Sequence, residues 1–161
     1  TIAMDSIGFG VPKRWGLVIC TDHEIGYWVA KRVNGGYFKE RSQSIGLRKN
    51  GKIVAGVIYQ DYNNRSIVCH IAIDGRMTKD YLWAIFDYPF KVCEVEKIIV
   101  PVASENKKSN KIVTNMGFSE EARIKDCHPD GDIILYTLKR EDCRFLGERY
   151  GKRLAITATR T

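Results

Sequence analysis

The apolar positions of this chain fall into short blocks whose spacing changes along the sequence, and the spacing predicts the elements. Leu17 to Cys20 is a short apolar run. Ile25, Trp28, Val29 and Val33 then recur at steps of three and four residues, the period of one helix face, with Thr21 or Asp22 as the cap and Asn34-Gly35-Gly36 as the stop. Ser44 to Lys49 and Lys52 to Tyr62 are rich in Ile, Val and Tyr, and Asn50-Gly51 between them is the signal of a type I′ hairpin. Asn63-Asn64-Arg65 turns the chain into Ser66 to Asp74, which completes a three-stranded antiparallel meander.

Beyond Asp74 the period returns to that of a helix. Thr78 is a good N-cap for a helix through Leu82, Ile85 and Phe86, which Pro89 closes or kinks. Lys97 to Ala103 is the next strand, and a helix between two strands has the shape of a crossover that leaves them parallel. Pro101 in that strand lacks an N–H, so the ladder is expected to break there, and a broken interior ladder implies a splayed gap. Ser104 is the expected cap of a further helix through Asn106, Ser109, Ile112, Val113 and Met116, stopped by Gly117. Phe118 to Lys125 and Asp132 to Lys139 form a last hairpin around the turn His128-Pro129-Asp130-Gly131. A parallel pair inside a mostly antiparallel sheet makes this an α/β (α+β) domain of three layers. Residues 1–146 read as one domain and 147–161 as a basic tail.

Composition narrows the class. With 161 residues, 44% hydrophobic, 28% charged and 4 Pro, the chain is one ordinary globular domain. Its longest apolar runs, Ile53 to Tyr59 and Ile98 to Ala103, are far below the roughly 18 residues of a membrane span, so no membrane partner is expected. Thr1 to Trp15 has no apolar core of the secretory type, which gives the cytoplasm as the expected location. The net charge of +7 favours an anionic partner: nucleic acid, an anionic cofactor and an acidic protein surface all qualify. Arg149, Lys152, Arg153 and Arg160 against Glu148 put part of that excess in the tail.

The five cysteines form no Cys-x-x-Cys pair and the three histidines are scattered, so no metal is expected. Asp126, His128, Asp130 and Asp132 imitate the start of a calcium loop, but Thr137 stands at the twelfth position where a bidentate Glu is required. The hairpin turn explains the cluster better.

The stretch Ser104 to Phe118, with Asn106, Ser109, Gly117 and Phe118 in the pattern Asn-x-x-Ser, helix, Gly-Phe, resembles the GNAT superfamily of N-acetyltransferases. Within it the resemblance is to the branch that acetylates ribosomal-protein N-termini, over roughly Ser44 to Arg144. Sequences of this shape recur in tailed-phage genomes, so a phage origin is part of the expectation. The resemblance implies an acetyl-CoA-dependent transfer of an acetyl group to a primary amine, on a protein N-terminus or a small molecule, by direct transfer. It places the thioester in the gap between the two parallel strands, with N–H groups near Ile71, Ala72 and Ile73 binding the pantetheine chain and polarising the carbonyl.

The superfamily's usual pyrophosphate loop is absent. Asp74-Gly75-Arg76-Met77-Thr78 stands in its place with a single Gly; successive N–H groups at a helix start still make an anion site, to which Arg76 adds charge. In the preceding strand His70 lies on the face opposite Ile67, Cys69, Ile71 and Ile73, and superfamily members often place a general base in this strand. The resemblance makes Ser109 the acid for the CoA thiolate, and Asn106, one turn earlier, a holder of the pantetheine amide. Plainer roles stand beside each of these: a hydrogen-bonded structural His, capping Ser and Asn residues, and a solvated basic face for Lys107, Lys108 and Lys111. The alternative function is a noncatalytic acetyltransferase-like domain that binds nucleic acid or a host protein through its basic surface. Apolar strand ends are compatible with a dimer.

Overall fold

Alternation along the strands decides which face of the sheet each helix covers. A computed structural model describes residues 16–33 and 35–150. In chain order the elements are β1 (Leu17–Cys20), α1 (His23–Val33), β2 (Gln43–Lys49), β3 (Lys52–Gln60), β4 (Ser66–Ile73), α2 (Lys79–Asp87), β5 (Lys97–Ala103), α3 (Lys107–Asn115), β6 (Ser119–His128) and β7 (Gly131–Lys139). They build a seven-stranded sheet in the order β1-β2-β3-β4-β5-β7-β6. Every neighbouring pair is antiparallel except β4 and β5, so the mixed, mostly antiparallel sheet with a central parallel pair agrees with the sequence.

Ile67, Cys69, Ile71 and Ile73 of β4 and Ile98, Val100 and Val102 of β5 face the main core, with Phe86 of α2 and Val113 of α3. On the other face Ile58 and Ala72 pack with Ile25 and Val29 of α1. The three layers are therefore α1, the sheet, and α2 with α3. Two buried tyrosines fix α2 to the sheet: the Tyr59 hydroxyl donates to the Ile85 carbonyl at 2.6 Å and the Tyr81 hydroxyl to the Ile45 carbonyl at 3.0 Å. Their rings fill the core while their polar ends stay paired. On the α1 side the paired glycines Gly46 and Gly56 leave bare backbone. A Cβ at Gly46 would lie 2.3 Å from the Ile25 side chain, and one at Gly56 2.5 Å from Val29, so α1 rests closer to the sheet than any side chain would allow.

Several boundaries differ from the sequence reading. The β3 strand ends at Gln60 and not Tyr62, because Asp61 takes a positive φ of 54°. Asp22 precedes α1, and its carboxylate accepts from Arg48 as well as from the backbone N–H of Ile25 in the first turn of the helix. Past α2 the chain keeps winding through a π-helical turn, Tyr88–Val92, with Pro89 in its first turn. Asn106 and not Ser104 caps α3: its Oδ1 accepts from the Ser109 N–H, while Ser104 bonds across to the last hairpin. Past β7 the Tyr150 ring meets Phe145 with centroids 5.2 Å apart. Residues 151–161, most of the basic tail, lie outside the described residues.

Candidate active site

The site begins where one strand pairing stops. β4 and β5 pair at Ser66 with Lys97, Ile67 with Ile98 and Val68 with Ile99, and no further, although β4 runs on to Ile73 and β5 to Ala103. The Asp74 N–H donates to the Val54 carbonyl on β3 at 2.8 Å. Backbone groups of an antiparallel pair alternate in direction, so Ala72 and His70 also turn theirs towards β3, and Ile71 and Ile73 turn theirs into the gap. The expectation for this stretch is thereby corrected at Ala72, whose N–H belongs to the β3 ladder.

Pro101 proves to be less disruptive than its missing N–H suggests. The β5–β7 ladder runs unbroken from Lys97 with Lys139 to Ala103 with Ile133, and Pro101 stands opposite Leu135. Lacking a donor, Pro101 can occupy only a non-hydrogen-bonded pair there, so its backbone faces β4. The break therefore lies on the β4 side alone, and the proline leaves no stranded N–H in the gap.

A cavity of about 220 Å³ opens between the diverging strands, lined by His70, Ile71, Pro101, Asn106 and Ser109 among others. Four of the residues singled out from sequence meet here: His70, Ile71, Asn106 and Ser109. The remaining ones do not line it. Ala72 packs under α1, and the Ile73 side chain joins the main core. Gly75 and Arg76 are exposed beyond the end of β4, Met77 packs against the core, and Thr78 caps α2 by accepting from the Tyr81 N–H at 3.1 Å.

The polar groups around the cavity are unevenly engaged. The His70 ring has no hydrogen-bond partner among the described residues; burial pushes its pKa below the ordinary value, partly opposed by the Asp61 charge. Burial thus favours the neutral imidazole, the form that accepts a proton. Ser109 gives its N–H to the Asn106 cap at 3.1 Å, while its hydroxyl has no partner among the described residues. The cap uses Asn106 Oδ1, while Nδ2 donates to no acceptor among the described residues.

Sequence reasoning missed what holds these groups. Asn110 Nδ2 donates to the carbonyls of Ala103, Ser104 and Asn106 at 3.1, 3.3 and 2.7 Å, and its Oδ1 accepts from the Tyr136 hydroxyl at 2.6 Å. This fixes the first turn of α3 to the end of β5 and the middle of β7. The turn after β6 docks on the same corner: the Asp132 N–H donates to Ser104 Oγ at 3.0 Å and the Ser104 N–H to the Asp132 carbonyl at 2.9 Å. Gly131, at φ 144°, permits the approach, since a Cβ there would lie 2.7 Å from Ser104 Oγ. That docking brings His128, Asp130 and Glu105 to the cavity. The calcium-like cluster is spent on the turn itself: Asp132 accepts from the Asp126 N–H at 3.0 Å and from Arg123 at 3.2 Å, and His128 Nδ1 accepts from the Asp130 N–H. Only the long-range pairing of β5 with β7, which sets Ala103 opposite Ile133, could have revealed this corner.

No family model matches the chain, and no curated protein matches it significantly. Solved structures do. Mutant forms of the spermidine/spermine N-acetyltransferase SpeG from Vibrio cholerae match with a TM-score of 0.62 at 15% identity, covering 78% of this chain and 95% of that one. Ribosomal-protein-S5-alanine acetyltransferase from Vibrio fischeri matches with a TM-score of 0.54 at 18% identity, over 66% of each chain. A dodecameric spermidine N-acetyltransferase from Vibrio cholerae matches at 0.61 and 17% identity, over 78% and 94%. The chain has the GNAT fold. In this GNAT fold the splayed parallel pair, the free N–H groups of β4 and the start of α3 frame one cavity. Among the described residues no helix is long and apolar enough to cross a membrane.

Proposed function

We propose that this chain is an acetyl-CoA-dependent N-acetyltransferase that acetylates a primary amine by direct transfer within a ternary complex. The observation that carries the reading is the divergence of β4 and β5 after Val68 and Ile99, which leaves a gap with two outward N–H groups, the His70 imidazole and the Ser109 hydroxyl, which has no partner among the described residues, on one cavity. A linear pantetheine arm fits such a gap, because an extended chain bearing amides can pair with the exposed edge of β4 as a further strand would. Acetyl-CoA would supply the activated acyl thioester.

The chain's own residues then divide the work. The N–H groups of Ile71 and Ile73 hold the amide of the arm and polarise the acyl carbonyl, donors fixed in place before the reaction begins. His70, neutral through burial, takes the proton from the attacking amine directly or through one water. The Ser109 hydroxyl donates to the departing thiolate, and Asn106 Nδ2 donates to a pantetheine carbonyl. Gly75 to Thr78 and Arg76 meet the phosphates at the start of α2. A free α-amine, with a pKa of about 7.7 to 8, needs less help from a base of this strength than a lysine at about 10.4. The acceptor is accordingly a protein N-terminus or a small-molecule amine of comparable basicity.

Thermal melts in acetyl-CoA, together with an assay for thiol release in the presence of candidate amines, test this reading. Ligand at 100 times its dissociation constant should stabilise the fold by about 2.7 kcal/mol. No stabilisation at millimolar acetyl-CoA contradicts the enzyme reading, and binding of a labelled oligonucleotide with steep salt dependence would then favour a nucleic-acid-binding domain on the same fold.

A further inference from the structure

An ionic contact crosses the wide end of the β4–β5 gap. Asp74 directly follows β4, and its carboxylate holds side chains from helices on opposite faces of the sheet. Oδ2 accepts from Arg32 Nε of α1 at 3.0 Å, and Oδ1 from Lys108 Nζ of α3 at 3.3 Å. Each cation sits beside a residue that lines the cavity, Arg32 next to Val33 and Lys108 next to Ser109. The β4–β5 ladder ends at Val68 and Ile99, and Asp74 lies just past the end of β4, on the parted side of that pair.

Arg32 does not depend on Asp74 for its position. Its Nη1 donates to the Trp28 carbonyl at 3.2 Å, and the guanidinium lies 3.6 Å from the centroid of the Trp28 ring. The Asp74 and Lys108 side chains are 42% and 66% exposed, so the bridge is of the solvated kind that contributes little to stability. Such a contact yields readily to a stronger anion. A terminal phosphate monoester carries more charge and more acceptor oxygens than a carboxylate and pairs more strongly with guanidinium and ammonium groups.

We propose that Arg32 and Lys108 form a phosphate-binding site for the acyl carrier, and that in the free protein Asp74 occupies it as an internal carboxylate which the ligand phosphate displaces. The proposal rests on the acetyl-CoA reading above and adds an exchange to it: the cations that strap the gap shut become the contacts that hold the ligand.

The test is isothermal calorimetry with two probes, CoA and phosphate-free pantetheine, on the wild type, Asp74→Asn and Arg32→Gln. Removal of the competing carboxylate should tighten CoA binding by up to about fivefold, the equivalent of one exposed ion pair, and leave pantetheine unchanged. Arg32→Gln should weaken CoA, and by a larger factor in the Asp74→Asn background, where no internal pair offsets the loss. Circular dichroism melts within about 2 °C of wild type establish that each variant is folded, and Asp74→Ser serves where Asn does not fold. If CoA binds the wild type but Asp74→Asn binds it equally or more weakly, or if CoA and pantetheine change together, the exchange is overturned while the acetyl-CoA reading stands. If neither wild type nor variants bind CoA at millimolar concentration, both fall.

Discussion

β4 and β5 meet at one end and part at the other, and the two ends are built from different chemistry. At the paired end Ile67 and Ile98 are 3% and 1% exposed and the backbone ladder is closed. At the parted end the same strands carry His70 and Pro101, and the start of α3 adds Asn106 and Ser109. The first end has the features of a core and the second those of a site: backbone donors and a half-buried imidazole without hydrogen-bond partners among the described residues, and a proline that cannot close the ladder. Stability and chemistry therefore separate along about seven residues of one strand pair, and substitutions at the two ends should have opposite signatures.

The largest effect is expected at the parted end. His70→Gln should lower kcat/KM by about 10²- to 10⁴-fold, the usual contribution of a general base, with little change in melting temperature. Steady-state kinetics beside a melt decide it, and full activity would remove His70 from the mechanism. At the paired end Ile98→Ala should cost about 2 to 5 kcal/mol in chemical denaturation and leave the kinetic constants of the folded fraction close to wild type. A loss of activity at both ends without a loss of stability at either would erase the distinction.

Between these extremes lies the cap. Asn106→Ala should cost about 0.5 to 2 kcal/mol by freeing the Ser109 N–H, and should also raise the KM for acetyl-CoA, whereas Thr78→Ala, the corresponding cap of α2, should show the stability loss with a change in phosphate affinity alone. The smallest effect concerns pH. Burial lowers the His70 pKa, so the unfolded chain binds this proton more readily than the folded one. Stability should therefore fall as pH drops through the ordinary histidine range of about 6.5, and the acid limb of kcat/KM should lie below that value. His70→Gln should flatten the first dependence, as measured by melts between about pH 5 and 8.

The same contrast explains what could be read from sequence. The strands, the three helices and the parallel pair follow from local periods, turn residues and one crossover, all short-range signals. His70, Ser109 and Asn106 were legible because strand alternation and helix spacing put them on definite faces, and the resemblance supplied their roles. Which N–H groups reach the gap was not legible, since it depends on the register of β4 against β3, fixed by Asp74 with Val54. Ser104 was read as a cap because a Ser at a helix start usually is one; pairing with Asp132, 28 residues away in sequence, takes it elsewhere. The pairing of Arg32 with Asp74 gave no signal, because 42 residues separate them and only the closed fold joins them.

Backbone amide chemical shifts during an acetyl-CoA titration test the parted end most directly. The Ile71 and Ile73 N–H resonances should move most among those of β4, with Ala72 and His70 N–H, committed to β3, moving least. No movement at millimolar acetyl-CoA, or movement confined to residues away from the β4–β5 gap, would contradict the placement of the acyl carrier there.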